Sequence, residues 1–71
     1  MRLAAIMRAV QRFTVTIEGP SWEDVDEVEL LRLPSEGEPI QTKYGLCLVT
    51  SAEPLSDTGQ YAGKIVCRIP G

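Results

Sequence analysis

The sequence predicts an all-β fold, a five-stranded small β-barrel with a short N-terminal helix or arm. Two segments carry that expectation. Arg12-Phe13-Thr14-Val15-Thr16-Ile17-Glu18 alternates polar and apolar residues near the start, and Lys64-Ile65-Val66-Cys67-Arg68-Ile69 does the same near the end. A period of two sends neighbouring side chains to opposite faces of a sheet. Phe13, Val15 and Ile17 therefore share one face, and Ile65, Cys67 and Ile69 another such face. A third observation is length: 71 residues accommodate one core, so these strands belong to the same small domain, expected over 11–71.

Residues 1–10 form a separate segment. Leu3, Ile6, Met7 and Val10 fall at i, i+3, i+4 and i+7, one apolar stripe on a helix. Ala4, Ala5 and Ala9 favour that conformation, but a helix so short does not survive alone in water. It needs the barrel, a second copy or a partner to dock on. The first strand is expected from Gln11 to Glu18, stopped by Gly19-Pro20-Ser21. Ser21 and Asp24 have capping-box spacing, so a turn or single helical turn is expected over 21–25. A second strand then follows from Asp26 to Leu33, with a bulge at the adjacent Leu30 and Leu31.

Pro34-Ser35-Glu36-Gly37-Glu38-Pro39 reads as a turn cluster. The third strand is expected over Ile40–Tyr44, with Gly45 at a tight turn or bulge. The fourth, Leu46-Cys47-Leu48-Val49-Thr50, is apolar on both faces, which predicts a central or doubly covered strand. Ser51–Gln60 reads as the longest loop, and the fifth strand as Tyr61–Ile69, ended by Pro70. The alternation within these strands places Phe13, Val15, Ile17, Val28, Ile40, Val49, Ile65 and Cys67 in the core.

Leu33-Pro34, Gly37-Glu38 and Ile40, followed by Tyr44-Gly45 and Cys47-Leu48-Val49, resemble the middle of Src-homology-3-type small β-barrels. The resemblance covers residues 26–69. It implies a glycine-acidic turn leading into two tightly paired strands, then a variable loop and a closing strand. The same leucine-proline and glycine-acidic turn is similar to that of short bacterial and phage proteins. Asp57, Gly59 and Tyr61 also resemble the tyrosine corner of immunoglobulin-type sandwiches. However, Gly63 stands where that family has a cysteine, and the chain is shorter than such a domain. Neither resemblance implies an activity, because one fold hosts many functions.

Charge is unevenly distributed. Residues 1–17 carry only Arg2, Arg8 and Arg12, whereas 18–40 carry Glu18, Glu23, Asp24, Asp26, Glu27, Glu29, Glu36 and Glu38 against Arg32 alone. A nucleic-acid groove needs a continuous positive surface to displace counterions, so this layout disfavours one. The acidic run reads either as a solvated face or as a patch facing a basic protein. No apolar run approaches the roughly 20 residues that span a bilayer. The five apolar residues before Arg8 also fall short of an export signal. The protein is thus expected in the cytoplasm, off the membrane, with Cys47 and Cys67 as thiols packed in the core.

The chain has no histidine, the commonest general base and metal ligand. Two cysteines outside a C-x-x-C spacing cannot complete a zinc site by themselves. The acidic run lacks the glycine and terminal glutamate of a calcium loop, and the glycines are too scattered to cradle a phosphate. No catalytic residue, metal or cofactor is expected. The function expected is a non-catalytic protein-protein interaction or assembly module, with Leu3, Ile6, Met7, Val10, Trp22, Asp24 and Glu27 as candidate partner-binding residues. Tryptophan is favoured at binding hot spots, and an edge strand can accept a partner strand. The alternative is a nucleic-acid-associated accessory factor whose Arg2, Arg8 and Arg12 touch phosphate.

Overall fold

The computed structural model describes residues 10–55 and 60–70. Among them strands make up 63% and no helix occurs, so the all-β class holds. The predicted helix over 1–10 lies outside the described residues, apart from Val10. Five strands form one sheet: β1 (Gln11–Glu18), β2 (Glu23–Leu30), β3 (Pro39–Thr42), β4 (Gly45–Pro54) and β5 (Gly63–Arg68). Their spatial order is β2-β1-β5-β4-β3. All neighbours are antiparallel except β1 and β5, which run parallel at the middle of the sheet. The sheet curls strongly into a half-barrel, with β2 and β3 as its two edges.

The period-two pattern of β1 decides the core. Phe13, Val15 and Ile17 are fully buried on the concave face. The parallel register sets Val15 beside Ile65 and Ile17 beside Cys67, both fully buried. Cys47, Val49 and Ile40 complete the cluster from β4 and β3. Val28, placed in the core by its parity, is only half-buried and packs against the cluster from the edge strand β2.

Several boundaries differ from expectation. β2 begins at Glu23, and no helical turn forms over 21–25. Residues 19–22 are instead a short hairpin loop, closed by the Gly19 N–H donating to the Trp22 carbonyl at 2.8 Å. β2 ends at Leu30, so the Leu30-Leu31 pair marks a strand end and Leu31 turns outward. The bulge sits instead between Val49 and Ser51. It lets Val49 and Ala52, three residues apart, both face inward, and it carries β4 on to Pro54 through part of the expected loop. β3 stops at Thr42, so Lys43 and Tyr44 form a two-residue turn ahead of Gly45. Gly45 has φ of +103°, which side-chain-bearing residues rarely adopt. β5 spans only the middle of the expected Tyr61–Ile69 strand.

β4 is a central strand, between β5 and β3. Its outward side chains, Leu46 and Leu48, are exposed, so it is not covered on both faces. One further expectation is overturned. Cys47 and Cys67 are joined as a disulfide rather than left as thiols. The register explains the pairing. Val49 lies opposite Cys67, and Cys47 follows two residues along on the same concave face. The Cα–Cα distance is 5.7 Å, within the span a disulfide bridges.

Candidate interaction surface

The half-barrel is open along one line, the seam between β2 and β3. Among the described residues each is bonded to a single neighbouring strand, so each offers a backbone edge with no ladder partner there. Following the pairings around the sheet, β2 and β3 run in opposite directions. Side chains fasten the seam near both ends and leave a groove between.

At one end the β1–β2 loop meets the β3–β4 turn. Asp24 occupies a half-buried, inward position of β2, opposite Ile17. The Tyr44 hydroxyl donates to Asp24 Oδ2, and Lys43 Nζ lies 3.3 Å from the same oxygen. The Val25 N–H donates to Asp24 Oδ1 at 2.8 Å. These donors hold the Asp24 carboxyl below its ordinary range, the Tyr44 hydroxyl contributing most. The same contact raises Tyr44, because ionising it would put two anions together, and Asp24 raises Lys43. Above this polar contact the Trp22 and Tyr44 rings pack with centroids 4.7 Å apart at 49°. Gly19 makes room for that packing: a Cβ there would lie 2.1 Å from the Trp22 indole. Both rings remain well exposed, so the clasp is also an aromatic surface.

Toward the other end, Arg32 forks onto Glu38, with Nη1 3.1 Å from Oε1 and Nη2 3.0 Å from Oε2. The Ser35 N–H donates to Glu38 Oε1 at 2.9 Å. The Ser35 N–H, more than Arg32, holds Glu38 below the ordinary carboxylate range. These contacts fold the 31–38 connection into a firm floor for the seam. Between floor and clasp lies a groove of about 660 Å³, lined by residues 28–32, Pro34 and residues 38–41. Its walls are apolar, from Val28, Leu30, Leu31, Pro34, Pro39 and Ile40. Its rim carries Glu29, Arg32, Glu38 and Gln41.

Of the described residues singled out from sequence, the structure brings together Trp22 and Asp24, both in the clasp. Glu27 lies on the convex face, where the Tyr61 hydroxyl donates to its Oε2 at 2.5 Å. Val10 is exposed just ahead of β1 and faces Glu29, Leu55 and Tyr61. Leu3, Ile6 and Met7 lie outside the described residues. Sequence reasoning missed Lys43 and Tyr44, the partners of Asp24, and the groove lining of Leu31, Pro39 and Gln41. The signal for the first pair was the turn dipeptide ahead of Gly45. The groove had no local signal, because two strands far from each other in the spatial order create it. No family model, curated protein or solved structure matches the chain.

Proposed function

We propose that this protein is a non-catalytic interaction module that takes up a short extended segment of a partner protein in the β2–β3 seam. One observation carries the reading: two backbone edges without ladder partners among the described residues flank an apolar groove. Strand addition of this kind gives affinity through main-chain hydrogen bonds and specificity through side-chain pockets. The chemistry asked of the partner follows from the lining. An apolar side chain would enter among Val28, Leu30 and Ile40, while Glu38 on the rim is already held by Arg32. The Trp22–Tyr44 pair supplies an exposed aromatic shoulder at the far end of the seam.

The alternative nucleic-acid reading is not favoured. Of its three arginines, Arg12 lies 3.9 Å from the Glu29 carboxylate, within an acidic surround. Among the described residues no helix is long and apolar enough to cross a membrane. The cytoplasmic assignment belongs to the same proposal, and the Cys47–Cys67 disulfide removes one of its supports, since disulfides persist mainly in oxidising compartments.

Selection of displayed ten-residue peptides against the full chain tests the module. Selected peptides are expected to carry apolar residues at alternate positions and to shift the backbone amides of Val28–Leu30 and Ile40–Thr42 in NMR titrations. Leu31→Asp, at an exposed wall position, is expected to abolish binding without disturbing the β1 and β5 amides. Peptides that bind only elsewhere, or bind Leu31→Asp equally, would refute the seam as the site.

A further inference from the structure

Resting on that reading, we infer that Asp24 and Asp26 decide where a partner strand can add. They close the stretch of β2 beside the clasp, so the incoming segment is held at the groove end, between the backbones of Glu29 and Gln41.

The hydrogen-bond phase of the sheet fixes which backbone groups face the seam. On β1, the Arg12 carbonyl accepts from the Ala62 N–H at 2.8 Å and the Glu18 carbonyl from the Ile69 N–H at 3.0 Å, both on the β5 side. Their opposite residues on β2, Glu29 and Glu23, therefore belong to pairs whose backbones turn away from each other. Alternation by two adds Val25 and Glu27, so these four N–H groups point out of the sheet edge. On the other edge the Glu38 carbonyl accepts from the Val49 N–H at 3.0 Å and so faces β4. Alternation then turns Pro39 and Gln41 outward. Proline has no N–H, which leaves Gln41 as the residue of β3 that turns both a donor and an acceptor to the seam.

Two of the four outward amides of β2 are already taken. The Val25 N–H donates to Asp24 Oδ1 and the Glu27 N–H to Asp26 Oδ1, each at 2.8 Å. Bonds to a carboxylate are stronger than neutral ones. A strand added there would have to displace both and leave two half-buried carboxylates without those donors. Inward-pointing charges on an edge strand refuse partners in this way. The groove begins where the two aspartates stop. It takes residues of β2 only from Val28 onward, and Glu29 and Gln41 both line it. Closed edge and open pocket thus divide β2 between them. A segment seated at Glu29 and Gln41 sends alternate side chains down among Val28, Leu30 and Ile40.

The experiment follows amide exchange of the full chain with a ten-residue peptide selected against the seam. In the native protein the peptide should slow exchange at Glu29 and Gln41 at least tenfold and leave Val25 and Glu27 within twofold. Asp26→Ala frees the Glu27 N–H, so protection should extend to Glu27 and the peptide should bind at least threefold more tightly. Asp26→Asn keeps an accepting oxygen in place and should behave as the native chain, which separates the bond from the charge. Unmoved Phe13 and Ile65 amides show that each variant keeps the sheet; if Asp26→Ala disturbs them, the native footprint alone decides. Three outcomes overturn the inference: peptide protection at Val25 or Glu27 in the native chain, an Asp26→Ala footprint and affinity equal to the native ones, or Asp26→Asn matching Asp26→Ala. If the peptide protects Val25 and Glu27 of the native chain as well as Glu29 and Gln41, this inference fails and the interaction module stands. If no selected peptide protects Glu29 or Gln41, both fail.

Discussion

The β1–β5 pair and the β2–β3 seam use similar aliphatic residues and leave them in different states. In β1 and β5 every inward side chain from Phe13 to Cys67 is fully buried, because each strand has a hydrogen-bonded neighbour on both sides. At the seam, Val28 and Leu30 on β2 point the same way and are only half-buried, whereas Ile40 on the other edge strand is buried. Residue type does not decide the difference, since Val15 is fully buried and Val28 is not. The centre of the sheet is where the fold is held, and the seam is where surface remains for another chain.

The sharpest way to break this contrast is truncation in both places. Phe13→Ala should cost about 3–5 kcal/mol. That is a large fraction of the roughly 5–15 kcal/mol that holds a typical domain. Val28→Ala at the seam should cost on the order of 1 kcal/mol, since less apolar surface returns to water. Urea denaturation measures both. Equal losses would mean that the seam is as fully packed as the centre.

The disulfide comes next. It joins β4 to β5 across a sequence separation of 20. A loop of this size contributes about 3 kcal/mol by restricting the unfolded chain. Small domains with limited cores commonly depend on such a staple. Cys47→Ala/Cys67→Ala, or reduction of the native protein, should lower the melting temperature by roughly 10–25 °C on that basis. The seam should then open no sooner than the centre, because the link lies among core residues. A melting temperature indifferent to reductant would show that close packing alone holds β4 against β5.

The clasp gives the two smaller effects. Gly19→Ala would drive a methyl into the Trp22 ring and displace it from Tyr44, so tryptophan emission should shift to the red with little change at β1 and β5. Titration should do the same reversibly. Asp24 is depressed below its ordinary value of 3.8, so its contribution is present above that pH and is lost as the pH falls through the folded value. Tyr44 is raised above 10.0 and Lys43 above 10.5, so their contributions are present below those values and are lost as the pH rises through the folded ones. Trp22 emission should therefore be steady from about 4 to 10 and change outside that window. Tyr44→Phe should move the acidic midpoint up toward 3.8, because it removes the largest cause of the depression. An unmoved midpoint would mean that Lys43 and the Val25 N–H hold Asp24 without the hydroxyl.

Sequence legibility follows the same division. β1 was readable to the residue, and the concave faces of β1 and β5 were assigned correctly, because alternation is unambiguous where one face is dry. Fold class followed from that. The readings failed where the chain departs from simple alternation. Leu30-Leu31 looked like a bulge but ends a strand. The true bulge was visible in the three-residue spacing of Val49 and Ala52, yet the serine, threonine and proline around them read as a loop. Alternation puts Cys47 and Cys67 in the core, but the register that joins them is not available from either strand alone. The seam was the least legible feature, because it depends on which strands are not neighbours, and residue order alone did not define that relation.

The parallel pairing of β1 with β5 has a consequence for synthesis. A ribosome releases β1 first, and its central neighbour only after nearly all the intervening chain has been translated. At roughly 5–20 residues per second the wait is a matter of seconds. Only the separate β1–β2 and β3–β4 hairpins can form meanwhile, and a lone hairpin is marginal in water. For that interval Phe13, Val15 and Ile17 present a bare apolar ribbon to the cytosol or the translocon. The nascent chain is thus a natural client for a holding chaperone until Gly63–Arg68 slides between the two hairpins and completes the sheet in one late step.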